Sequence, residues 1–154
     1  MKTEKVEHQK KVHNVLTHSY MTYLMALFFG IIFSAIWPLK IFTDPMLLNT
    51  STIILLLSTL LILWAQRSSK EINKENLSEK SFMNGPYAFT RNPTNLGLFF
   101  SMISFGIIIN SLFVIFFTLI AFLLARLVFY KTEEKILENK YGEPYRKYKE
   151  IVKF

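Results

Sequence analysis

The sequence predicts an all-α integral membrane protein: four transmembrane helices, both termini cytoplasmic, and a C-terminal helical hairpin continued by a cytoplasmic helical tail. Three observations predict it. Apolar residues make up 51% of the 154-residue chain and are gathered into long runs. Charged residues, 19% against roughly 25% in an average soluble domain, are swept into the gaps between those runs. Lys and Arg then fall on alternate gaps, giving a net charge of +7 that segregates by side.

The first run, residues 20–37, is broken only by Thr22, Gly30 and Ser34 and ends on aromatics, as interfacial anchors do. At about 1.5 Å per residue it is close to the thickness of a bilayer's hydrocarbon core. A long polar stretch precedes it and no small-x-small site follows, so it reads as an uncleaved helix. The second run covers 46–65, with Asn49 to Thr52 near its start and Trp64 near its end. The third covers 93–109 and the fourth 112–130, the latter holding one charge, Arg126. Only Asn110-Ser111 separates these two, enough for a tight helical hairpin but for no intervening domain. The tail is 131–154. With no linker, repeat or low-complexity tract, the chain reads as one membrane domain, 1–154.

Sixteen of the 18 Lys and Arg residues flank the spans on one side, in the N-terminal segment, the second loop and the tail; Lys40 alone lies on the other. The positive-inside rule therefore places the termini and the second loop in the cytoplasm, in a bacterium that of the inner membrane. Each juxtamembrane cation gains on the order of 1 kcal/mol against an anionic leaflet. The charge thus calls for no nucleic-acid partner, and the basic residues form no single basic face. Without cysteine there are no disulfides, thiolate metal sites or thiol nucleophiles. His8, His13 and His18 recur every five residues, about 140° apart on a helix, and make a poor metal site. Glu71, Glu75 and Glu79 alternate with Lys70, Lys74 and Lys80 at helical spacing, which reads as a solvated helix.

Two cytoplasmic stretches carry polar groups that spanning a membrane does not require. In the first, Gly85-Pro86 reads as a turn. Asn92-Pro93 reads as a helix start, with Asn as N-cap and Pro at the first helical position. That helix end and Arg91 beside it suit a carboxylate or phosphate; a capped helix with a positive-inside arginine is the plainer reading. In the second stretch Arg126 lies a turn inside the interface, placed to snorkel. Glu133 and Glu134 follow on the same helix, about 100° apart, so one can face inward while the other faces water. A solvated helix face, with Lys131 and Lys135 beside the pair, is the plainer reading there.

Together these stretches resemble the isoprenylcysteine carboxyl methyltransferase and phospholipid methyltransferase superfamily. Its pattern of Gly-x-Tyr, Arg-His-Pro-x-Tyr, Leu-Gly, a helical hairpin, Glu-Glu and a Phe-Gly-x-x-Tyr-x-x-Tyr tail has a counterpart over residues 85–148. Here stand Gly85-Pro86-Tyr87, then Arg91-Asn92-Pro93-Thr94-Asn95-Leu96-Gly97, Glu133-Glu134, and Tyr141-Gly142-Glu143-Pro144-Tyr145-Arg146-Lys147-Tyr148. Asn92 replaces the usual His and keeps a capping side chain; Asn95 replaces a Tyr and removes an aromatic wall.

The resemblance implies S-adenosylmethionine as methyl donor, held between the 91–97 segment and Glu133-Glu134, and a lipid-like or prenyl-like acceptor embedded in the bilayer. It makes Tyr87, Asn92, Pro93, Asn95, Leu96, Gly97, Glu133 and Glu134 candidate cofactor-binding residues and Arg91 the candidate catalytic one. Arg126, Tyr145 and Tyr148 are candidate substrate-binding residues. Aromatic faces favour a sulfonium as they do other cations. In-line methyl transfer asks for alignment and exclusion of water rather than a triad. Two alternatives remain at this point. One is an NADPH-dependent enzyme like the sterol reductases, against which the acidic pair weighs; the other is a non-catalytic membrane protein retaining the fold.

Overall fold

A computed structural model describes residues 20–70 and 78–153. These residues form no strand. Four long helices follow the four apolar runs: α1 (Tyr20–Ile36), α2 (Pro45–Lys70), α3 (Pro93–Ile108) and α4 (Leu112–Val128). Two 3₁₀ turns, Glu79–Phe82 and Gly85–Ala88, precede α3, while a π-helical turn, Phe129–Glu133, carries α4 into α5 (Glu134–Tyr141). Gly142 at φ +63°, a backbone value glycine adopts without a Cβ clash, turns the chain into α6 (Glu143–Ile151).

Among the described residues two helices are long and apolar enough to cross a membrane, one over Pro45–Ser69 and one over the continuous stretch Leu112–Tyr141. α1 and α3 are shorter apolar helices, about 24–26 Å each at 1.5 Å per residue. α2 outruns the expected 46–65 by more than a turn. Gln66, Arg67, Ser68 and Ser69 end the apolar run, but nothing in them breaks a helix. In the opposite direction, the solvated helix expected around 70–80 is absent where its end is described, since Glu79 and Lys80 open a 3₁₀ turn. Residues 71–77, and His8, His13 and His18, lie outside the described residues.

Backbone contacts replace bulky side chains where helices cross. A Cβ on Gly30 would lie 2.7 Å from the Val114 Cα, so α1 and α4 meet main chain to main chain. One on Gly97 would lie 2.6 Å from Ile62 Cγ1 and 3.2 Å from the Ser58 carbonyl, which sets α3 against α2. Ser58 and Ser101 hydroxyls bond across the same contact at 2.8 Å. The core joins Tyr23 and Ala26 of α1 to Leu98 of α3 and to Ala121 and Ala125 of α4. Outward, Leu56, Leu57, Leu60, Leu123, Leu124 and many others are exposed, the inverse of a water-soluble bundle and what a hydrocarbon solvent permits.

The helices alternate in direction. At one end Asn110, in the left-handed region at φ +55°, makes the α3–α4 turn, and its Oδ1 accepts from Ile41 and Phe42 N–H at 2.9 and 2.8 Å. Ser34 and Ser111 hydroxyls bond at that end too. At the other end the start of α1, the end of α2, the start of α3 and the α4–α5 junction converge, and α6 folds over them. All the candidate site residues except Gly97 and Arg126 cluster there.

Candidate functional site

The site is built outward from the start of α3. Asn92 caps that helix, its Oδ1 accepting from the Asn95 N–H at 3.1 Å, and Pro93 occupies the first turn, where it forfeits no helical bond. This geometry turns Arg91 back across the bundle end. There its side chain, only 7% exposed, donates through Nη1 to Glu134 Oε1 and through Nη2 to the Lys153 carbonyl at 3.0 Å. Glu134, 3% exposed, holds Lys149 Nζ on its other oxygen at 3.0 Å, and Lys149 also reaches Glu138 Oε1 at 2.8 Å. A buried carboxylate is tolerable here because two cations share it.

Glu133 is buried as well, at 6%, which corrects the expectation that one of the two glutamates faces water. The π turn supplies the reason. It closes i→i+5 rather than i→i+4 bonds, so it packs more residues into each turn and narrows the angle between successive side chains. Glu133, which closes that turn, and Glu134, which follows it, both enter the interior.

Aromatic side chains wall this ionic cluster. Tyr145 and Tyr148 of α6 pack on Phe82, with ring centroids 5.5 and 5.7 Å away. The Tyr148 hydroxyl donates to the Tyr87 carbonyl at 2.7 Å, tying α6 to the turn before α3. The Tyr145 hydroxyl, buried, has no hydrogen-bond partner among the described residues. Burial raises the pKa of Tyr145, and the negative charge of Glu134 raises it further; burial, chiefly, raises that of Tyr148, with Tyr87 adding to it and Arg91 opposing. Tyr87 is also raised, chiefly by burial, with the Ser69 and Thr94 side chains as opposing hydrogen-bond partners. All three stay protonated at neutral pH.

The structure thus brings together Tyr87, Arg91, Asn92, Pro93, Glu133, Glu134, Tyr145 and Tyr148. Asn95 lies just behind them on the helix, 4% exposed, its Oδ1 accepting from the Tyr23 hydroxyl at 2.9 Å. Leu96 is half-buried. Gly97 faces α2, where its missing side chain serves helix packing. Arg126 is half-buried in the last turn of α4, below the π turn.

Sequence reasoning missed Lys149, Phe82 and Tyr23. Lys149 stands among other basic residues of the tail, and Tyr23 is one of many apolar residues in its run. Phe82 did carry a signal: with Met83 it is the apolar interruption of a polar loop. Gly85 is a further structural requirement. At φ +59°, a Cβ there would lie 2.3 Å from Ser68 Oγ and 2.9 Å from Trp64 Nε1, so only glycine lets this turn lie on the end of α2.

Chemically, the arrangement pairs one buried cation, Arg91, and one partly exposed, Lys149, with buried carboxylates under an aromatic cover, at the end of an apolar bundle. A family model described as phospholipid methyltransferase matches residues 46–144. No curated protein and no solved structure matches the chain.

Proposed function

The chain belongs to the phospholipid methyltransferase family, and from that membership we propose that it transfers a methyl group from S-adenosylmethionine to a lipid-like or prenyl-like acceptor embedded in the membrane. The observation that carries this reading is the buried group of Arg91, Glu133 and Glu134 beneath Tyr145 and Tyr148, with a partly exposed Lys149 paired to Glu134. Both charges of an α-amino acid find opposite partners in it.

The residues present fit the donor. Arg91, with Lys149 beside it, suits a carboxylate, and Glu133 and Glu134 suit an ammonium or ribose hydroxyls. The Tyr145 hydroxyl, without a partner of its own, has a bond to give, and its ring faces suit a sulfonium. When bound, S-adenosylmethionine supplies an electrophilic methyl group on that sulfonium. Arg91 is then a binding and orienting residue. Its guanidinium stays charged and has no proton to take up, so it does not act as a base. The aromatic cover excludes water, which an in-line displacement rewards. A carboxylate acceptor needs no general base; a protonated amine does.

We place the spans at α1 to α4, with the termini and the 66–92 loop in the cytoplasm. The alternation of the helices and the one-sided distribution of Lys and Arg support this placement. The donor then enters from the cytosol and the acceptor from the bilayer.

The test is methyl transfer in proteoliposomes made from lipids of the native membrane. With S-adenosylmethionine labelled on its methyl group, label is expected in the organic extract and is lost in Glu134→Gln. Protein that binds the donor but leaves all label in the aqueous phase would overturn the acceptor class.

A further inference from the structure

We propose that Tyr23, on α1 and outside the span matched by the family model, is a positioning residue of the donor site and acts through Asn95. The inference rests on the donor reading above and adds the first helix to that site. The Tyr23 side chain is 1% exposed, and its hydroxyl meets two acceptors of a single residue: Asn95 Oδ1 at 2.9 Å and the Asn95 carbonyl at 3.3 Å. The Asn95 N–H is held in turn by Asn92 Oδ1 at 3.1 Å. Three polar atoms of Asn95 are therefore fixed, one from its own helix cap and two from α1.

Packing alone does not ask for this. The other polar contacts of α1 lie at its two ends, Tyr20 accepting from Gln66 Nε2 at 2.9 Å and Ser34 meeting Ser111; between them it packs through apolar side chains and backbone, as at Gly30 on Val114 and at Phe33 on Phe113 and Phe117. A phenylalanine at 23 with an apolar residue at 95 would fill the same space, and such a paired replacement is close to neutral in stability. A buried phenol–carboxamide pair in an apolar bundle has a clearer use in orienting the amide. With Oδ1 committed to Tyr23, the group that Asn95 has left to present is its NH₂, a donor. It stands four residues beyond Arg91 and next to Thr94, whose side chain meets Tyr87. That donor suits the carboxylate or hydroxyl oxygens of the ligand assigned to this site. Without Tyr23 the carboxamide is free to turn over, since its two ends are nearly equal in shape.

A double-mutant cycle read in donor affinity tests the coupling. Calorimetric binding of S-adenosylmethionine to detergent-solubilised full-length protein is measured for wild type, Tyr23→Phe, Asn95→Ala and the double variant. Asn95→Ser replaces the alanine variant if that one does not fold. Tyr23→Phe is expected to bind roughly five- to tenfold more weakly, the value of one hydrogen bond. On the Asn95→Ala background the same change is expected to cost about twofold or less. A role in packing alone shifts the unfolding temperature but leaves no coupling in affinity. Unchanged binding by Tyr23→Phe, or losses that multiply in the double variant, overturns the inference. Wild-type protein that does not bind the donor overturns the donor reading and this inference with it.

Discussion

At the scale of single residues, one atom separates stability from function. The Tyr145 hydroxyl is buried without a partner, and an unmatched buried hydroxyl costs free energy that a phenyl ring does not. Tyr145→Phe is therefore expected to leave stability unchanged or raise it by up to about 1 kcal/mol, while weakening donor binding. Thermal unfolding with and without S-adenosylmethionine checks both parts, and a destabilised variant would show that the hydroxyl is satisfied within the fold.

The bridge that holds α6 is set by the same logic. Lys149 lowers the pKa of Glu138, chiefly by hydrogen bonding, and the Glu138 and Glu134 carboxylates raise that of Lys149. A lowered carboxylate stabilises above its ordinary range and loses the contribution as pH falls through its folded value. A raised amine stabilises below its ordinary range and loses the contribution as pH rises through its folded value. The docking of α6 is accordingly expected to be flat between about pH 6 and 9, inside the ordinary Glu and Lys values of about 4.3 and 10.4. Near-UV circular dichroism of the tyrosine cluster reports it, and a step near pH 7 would contradict this pairing.

At the scale of elements, the junction between α4 and α5 decides the geometry of the site. The π turn Phe129–Glu133 sets the rotation at which Glu134 meets Arg91. Inserting an alanine after Thr132, an exposed residue of that turn, adds one helical step and should swing Glu134 by about 100° around the helix axis. Helix content by far-UV circular dichroism should be retained while donor binding falls at least tenfold. Retained binding would show that the π turn does not aim the glutamate.

Much of the element scale was legible beforehand, because long apolar runs announce membrane helices and Asn92-Pro93 announces a helix start. The π turn was not, for Phe129 to Glu133 read as ordinary helix. Nor was the last turn of α2, where polarity rises without any helix breaker. The contact of Tyr23 with Asn95 joins residues 72 apart in sequence, and no local pattern encodes such a pairing. The partners of Phe82 are likewise distant in the chain, while Lys149 was hidden among the other basic residues of the tail.

At the scale of the whole molecule, a composition that first reads as both greasy and basic becomes a division of labour. Apolar surface faces outward along the bundle, and the charged and aromatic groups that can carry chemistry gather at one end. The absence of cysteine makes the proposed orientation easy to test. A single cysteine at exposed Thr43 is expected to react with a membrane-impermeant maleimide from outside intact cells. One at exposed Glu143 is expected to react only after permeabilisation. Labelling of both from the same side would overturn the topology.

The central claim is that this end of the bundle binds a methyl donor through its buried charges. Calorimetric titration of S-adenosylmethionine into the detergent-solubilised protein, wild type beside Glu133→Ala/Glu134→Ala with helix content checked for each, tests it most directly. Saturable one-to-one binding that the double variant abolishes is the expected result. Saturable binding of NADPH instead, or donor binding that survives loss of both glutamates, would contradict it.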